Sequence, residues 1–348
     1  MSLGRVMIGI EGTTLRPYER QRLMHPLVAG VILFSRNYES PKQLQALCES
    51  IHNLRHPKLL IGVDHEGGRV QRFKQGFTRL PSMIRLGQHY HISAEQGMAL
   101  SRQVGWLLAT ELLACGVDFS FAPVLDLDYG ESHVIGDRAF DADPIIVGKL
   151  ALHLSLGMRD AGMASVGKHF PGHGYVAADT HHSGATDPRS WAQIEHNDLQ
   201  PFLKLIAHGL EAIMPAHVCY EQLDSRPAGF SKLILQDLLR SRCHFEGAII
   251  SDDLGMQAAA EYGDVVERVN LALQAGCDLA LVCNDLDQIE PVLEQCHINS
   301  CPLTHARLIR LHGRAKLDLA QCHYNPIWQS AARAIKAITD QEQQKELL

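Results

Sequence analysis

Eight short apolar runs recur along this chain, and nearly every one stops at a charged or hydrogen-bonding residue. They cover residues 6–10, 30–34, 59–63, 117–124, 163–167, 212–217, 247–251 and 278–283. Runs this short, bounded by Gly, Pro or polar residues, are strands buried on both faces. The stretches between them carry helical spacing. Leu44, Leu47, Cys48 and Ile51 fall three and four apart within residues 40–54, and residues 93–115, 144–161, 198–210 and 265–275 read the same way. Ser231 is placed to cap a further helix through Leu239. Strands that are apolar on both faces need layers on both sides, which is the condition of a parallel sheet. Eight such units predict a single-domain α/β fold, a (β/α)8 TIM barrel, with a doubly wound sheet as the alternative. No Pro- or Ser-rich linker divides the chain. Residues 1–348 are therefore expected to form one catalytic barrel domain, with a C-terminal helical tail from about residue 330 that frays into solvent.

The 348 residues include 46% hydrophobic and 20% charged, enough to bury a sizeable core and stay soluble. Net charge is −7 with Lys and Arg scattered, which argues against a nucleic-acid partner. Nine cysteines, an odd number without a C-x-x-C pair, fit a reducing, cytoplasmic setting better than a disulfide scaffold. The start lacks a secretory pattern, and no apolar run reaches the roughly 18–20 residues that span a bilayer, so no membrane partner is expected.

Chemistry concentrates in Lys168-His169-Phe170-Pro171-Gly172-His173-Gly174 and on to Asp179-Thr180-His181-His182. Four histidines, a lysine and an aspartate fall within fifteen residues, while Pro171, Gly172 and Gly174 break regular structure. The stretch predicts a loop beyond a strand end, where chemistry is placed. In a barrel all strand ends of one sense converge on one mouth. Here they supply Arg36, Asp64, Asp126, Lys168, His169, His217, Asp252, Asp253 and Asn284, and loops add Arg72, Arg138, Asp179 and His181. Such a set suits glycoside hydrolysis, which needs an acid for the departing oxygen and a carboxylate facing the anomeric carbon. Asp252, where a rigid strand stops, suits the second role; Asp253 could turn outward and cap the next helix. Asp179 and His181 suit a dyad in which the carboxylate fixes the ring's tautomer and the ring exchanges the proton. The rival reading is a metal site using His169, His173, His181, His182 and Asp179, though these spacings form no tight ligand signature.

With these residues assembled, the chain resembles the glycoside hydrolase family 3 β-N-acetylglucosaminidases of the single-domain bacterial type. The resemblance rests on 168–174 with Asp179-Thr180-His181, on residues 62–72 (Gly-Val-Asp-His-Glu-Gly-Gly-Arg-Val-Gln-Arg), on 119–126, on Ile135-Gly136-Asp137-Arg138, and on Ser251-Asp252-Asp253-Leu254-Gly255-Met256. It implies a retaining mechanism with Asp252 as nucleophile, His181 as acid/base and Asp179 as its partner. It implies that Asp64, Arg72, Arg138, Lys168 and His169 grip the sugar, and that Gly172 and Gly174 let the loop carrying His181 close. The implied substrate is a small carbohydrate, N-acetylglucosamine joined to anhydro-N-acetylmuramic acid and its peptides, in peptidoglycan recycling. No metal or organic cofactor is implied, and a monomer is expected. Related barrels that cleave β-glucosides usually carry a further sandwich domain. A non-catalytic sugar-binding protein would have no need of the Asp179–His181 pair.

Overall fold

The computed structural model describes residues 3–177, 185–298 and 301–346. The eight apolar runs form eight parallel strands: β1 (Val6–Ile8), β2 (Val28–Leu33), β3 (Leu60–Val63), β4 (Phe119–Ser120), β5 (Val166–Phe170), β6 (Ala212–Pro215), β7 (Ala248–Asp253) and β8 (Leu279–Val282). Hydrogen-bonded neighbours run β4-β3-β2-β1-β8-β7-β6-β5. The first strand thus pairs with the last, Met7 opposite Leu281. At the remaining seam the ladder is broken beside Pro123, which has no N–H to give. There Phe119 bridges Ala164 and Val124 bridges Lys168. Bonds from Val166 N to Ala122 O (2.8 Å) and Leu125 N to Lys168 O (2.6 Å) close the ring. The count of runs therefore leads to a barrel; a doubly wound sheet would keep two open edges.

Helices begin where short polar side chains cap them. Asp143 accepts from Ile145 N ahead of Pro144–Ala161, and Gly162 (φ 104°) ends that helix. Asp264 caps Val265–Ala275 through Glu267 N, and Ser231 Oγ accepts from Ile234 N, as its position predicts. The barrel interior is packed with branched and aromatic residues, with Phe119 edge-on to Phe121 at 5.1 Å. Each fully buried Val, Ile or Leu is worth ~1.5–3 kcal/mol.

The terminal helix starts earlier than expected, at Pro326, and extends to Glu346. Its first part is docked rather than frayed. Ala331, Ile335 and Thr339 are buried, and Trp328 Nε1 donates to Glu111 at 3.0 Å. Glu111 also accepts from Thr78 N (2.9 Å) and Thr78 Oγ1 (2.6 Å). Burial pushes Glu111 up to about 7, although these donors pull the other way. All nine cysteines are free thiols. Among the described residues no helix is long and apolar enough to cross a membrane.

Candidate active site

The carboxyl ends of the strands open on a cavity of ≈ 1070 Å³. Ile32, Phe121, Met214 and Leu281 give it an apolar floor, and the polar strand-end residues form its walls. Asp64, Arg72, Arg138, Lys168, His169 and Asp252 all line it, so six of the eight residues given roles by the resemblance meet in one place. Asp179 and His181 lie outside the described residues, as does His182.

Lys168 and His169 lie in strand β5, which runs to Phe170, so regular structure ends beyond Phe170 as the Pro and Gly that follow predict. The strand persists because Lys168 N bonds Pro123 O (3.2 Å) while its side chain stays buried. The Lys168–His169 and Phe170–Pro171 peptides are both cis. Lys168 Nζ donates to Asp64 Oδ1 at 2.8 Å and reaches Glu66 Oε1 at 2.6 Å. Burial lowers the Lys168 pKa, but Asp64 and Glu66 outweigh it and hold the ammonium charged. Arg72 NH2 stands 3.7 Å from Asp64 Oδ2.

His169 Nδ1 lies 2.7 Å from Asp126 Oδ2, and Asp126 Oδ1 accepts from the backbone N–H of His169 (3.2 Å) and His173 (2.7 Å). Burial pushes Asp126 up; the histidines and the His173 amide bring it below the ordinary aspartate value. An ionised Asp126 accepts a hydrogen bond from the Nδ1–H of His169 and leaves Nε2 as the ring's other contact point. His173 is driven down to about 4, first by burial and then by His169. His65, beside Asp64, is buried among Phe73 and Phe77 and falls to about 3. It is a core residue.

Neighbours in a strand point to opposite sides, and the two adjacent aspartates show it. Asp253 does not cap the following helix. Its carboxylate accepts from Gly255 N (3.1 Å), Cys283 N (3.3 Å) and Asn284 Nδ2 (2.7 Å), tying β7 to the end of β8. Asp252 is partly exposed to the cavity, and among the described residues its carboxylate accepts one bond, from Asp253 N at 2.8 Å. Burial would raise Asp252, but His217, His169 and Lys168 hold it below the ordinary value, so it is a carboxylate at neutral pH. His217 is buried behind it, with Nε2 3.2 Å from Asp253 O. Arg36 is held by Ile10 O and Cys283 O.

Gly172 and Gly174 are sites of close approach. Gly172 has φ 141°, and a Cβ there would lie 2.5 Å from Asp198 Cβ; at Gly174 it would lie 1.9 Å from Leu127 O. Both stems of the stretch that carries Asp179 and His181 meet at Arg189, which sequence reading missed. Its guanidinium bonds Asp187 and Asp198 and lies under the Tyr175 ring at 4.2 Å. Glu66 was missed too, although the signal was there. Asp64 and Glu66 are two apart in extended chain, so both side chains leave on one side. As for the metal reading, no cluster of three His, Cys, Asp or Glu side chains suited to a metal ion occurs among the described residues.

An eight-stranded barrel whose mouth sets an ionised, cavity-facing carboxylate beside lysine and arginine side chains is a framework that suits a glycoside hydrolase. The chain belongs to glycosyl hydrolase family 3: residues 6–310 match the model of that family's N-terminal domain. It is 62% identical, over its whole length and 98% of the relative's, to a "Beta-hexosaminidase" of Hydrogenovibrio crunogenus. Its fold matches the crystal structure of NagZ from Neisseria gonorrhoeae in complex with N-trifluoroacetyl-D-glucosamine. That match has a TM-score of 0.93 and 42% identity, covering 97% of this chain and 98% of that one. A family 3 β-N-acetylglucosaminidase from Paenibacillus matches at a TM-score of 0.85 and 28% identity, covering 96% of this chain and 67% of that one.

Proposed function

We propose that this chain is a retaining exo-β-N-acetylglucosaminidase that releases N-acetylglucosamine from cytoplasmic peptidoglycan fragments bearing anhydro-N-acetylmuramic acid and peptide. The observation that carries the reading is Asp252, a strand-end carboxylate held ionised and facing the cavity. In the first displacement its oxygen bonds to the anomeric carbon while the glycosidic C–O bond breaks. His181, as imidazolium, gives its proton to the departing oxygen. In the second, neutral His181 takes a proton from water, the hydroxide oxygen bonds to the anomeric carbon, and the ester to Asp252 breaks. Asp179 orients the ring through both steps. Asp64, Arg72, Arg138, Lys168 and His169 hold the sugar's hydroxyls and N-acetyl group. The whole chain acts as one catalytic domain and as a monomer. Free thiols at all nine cysteines suit a reducing compartment, and the N-acylhexosamine in the Neisseria gonorrhoeae complex supports the sugar chosen.

The test is hydrolysis of an aryl β-N-acetylglucosaminide beside the matching β-glucoside, with and without EDTA. Turnover of the first alone, unchanged by chelator, is expected. Activity lost to EDTA would overturn the roles given to Asp252 and His181.

A further inference from the structure

Two of the cations that line the cavity share one buried carboxylate. Glu66 is 3% exposed. Arg138 Nε donates to its Oε2 at 2.8 Å and Arg138 NH2 to its Oε1 at 2.8 Å, a two-pronged fork. Lys168 Nζ lies 2.6 Å from the same Oε1, and Arg138 NH1 donates to Val134 O at 3.1 Å. Burial raises Glu66, but Arg138 and Lys168 outweigh it and keep it ionised at any working pH. Asp64, Lys168, Glu66 and Arg138 thus form a continuous chain of alternating charge along one wall.

A guanidinium has five N–H donors and an ammonium three. Among the described residues, Arg138 uses three and Lys168 two, on Glu66, Val134 and Asp64. Two donors remain on Arg138 and one on Lys168. Because the fork fixes the guanidinium plane, it also fixes where those free donors point. A buried ion pair adds little net stability on average. In the cavity wall, which Glu66 lines together with both cations, this one supplies aim.

Building on the function proposed above, we propose that Glu66 is a positioning residue for sugar binding. It acts through Arg138 and Lys168, which occupy both of its oxygens, and holds their unused donors toward the substrate. The test is Glu66→Gln in the full chain, assayed on an aryl β-N-acetylglucosaminide, with N-acetylglucosamine binding followed by calorimetry. Gln replaces one acceptor oxygen with an NH2 that confronts a cation. KM and the N-acetylglucosamine Kd are expected to rise roughly tenfold or more, with kcat changing less than about threefold. Combined with Arg138→Ala, Glu66→Gln is expected to add less than about twofold to the loss from Arg138→Ala alone, because both act on one contact.

Glu66→Asp keeps the charge but is one methylene short, and it serves should the Gln variant not fold. Reach matters under this proposal, so KM stays raised in Glu66→Asp. Wild-type KM in either variant, or additive losses in the double variant, would overturn the positioning role and leave the proposed function standing. A wild-type enzyme that binds no N-acetylglucosamine would overturn both.

Discussion

At the floor of the barrel Asp118 and Asp278 each precede a strand, and their carboxylates are filled from every side. Asp118 accepts from Ile61 N (2.8 Å) and Gly313 N (3.0 Å), with His52 Nε2 at 3.1 Å and His312 Nδ1 at 3.5 Å. Asp278 accepts from Arg240, Ile249 N and Thr304, with Arg307 at 3.4 Å. At the mouth, Asp252 accepts one bond among the described residues and faces a cavity. The same side chain, at opposite ends of strands in one barrel, is closed below and open above. Floor carboxylates lock strands to helices. At the mouth Asp252 keeps lone pairs facing the cavity, while Asp126, Glu66 and Asp253 do the locking there.

The largest effect should come from the open end. Asp252→Ala is expected to cut kcat/KM roughly 10⁴-fold or more while thermal unfolding stays within a degree or two of wild type. A variant that kept near-normal turnover would make Asp252 one more lock. His181→Ala should lower kcat on substrates with poor leaving groups by roughly 10²–10⁴-fold and on activated aryl glycosides far less. Equal losses on both would leave His181 no part in proton transfer.

The floor should behave in the opposite way. Asp278→Ala leaves the part-buried Arg240 and Arg307, the Ile249 N–H and the Thr304 hydroxyl without their acceptor, so a loss of about 3–5 kcal/mol is expected in denaturant unfolding, with kcat/KM of the folded enzyme within about threefold. A large loss of activity with stability retained would break the contrast. The smallest effect is in acid. Burial raises Asp118, but His312 and His52 bring its folded pKa below the ordinary value. Its stabilisation is therefore present above the unfolded value of about 3.9 and is lost as pH falls through the folded one. Asp118→Asn should cost about 1–3 kcal/mol at pH 7, and the gap should close in acid. A gap that widened there would reverse the sign of the argument.

Much of this division was legible in the sequence, for physical reasons. Near-continuous apolar runs reported strands buried on both faces, and the helical reading of residues 144–161 matches a helix that Asp143 caps and Gly162 ends. Residues at strand ends reported the mouth because eight parallel strands leave their polar ends nowhere else to go. Sequence pointed to Asp252 but not to what holds its neighbour closed. Asp252 and Asp253 are adjacent and chemically identical, and only the pleat and the position of Asn284 separate them. Arg189 was hidden because its partners, Asp198 and Tyr175, become neighbours only in the fold. The resemblance made Gly172 and Gly174 the residues that let a loop close; the structure adds that Asp198 and Leu127 crowd the space where side chains would stand.

The most direct test of an open Asp252 is to catch what fills it. His181→Ala would be mixed with an activated aryl β-N-acetylglucosaminide, quenched in acid within the first turnover, and its peptides weighed by mass spectrometry. The account predicts that the peptide containing Asp252 gains the mass of one N-acetylglucosaminyl residue, and that Asp252→Ala shows none. Turnover without any adduct, giving product of inverted anomeric configuration, would contradict it.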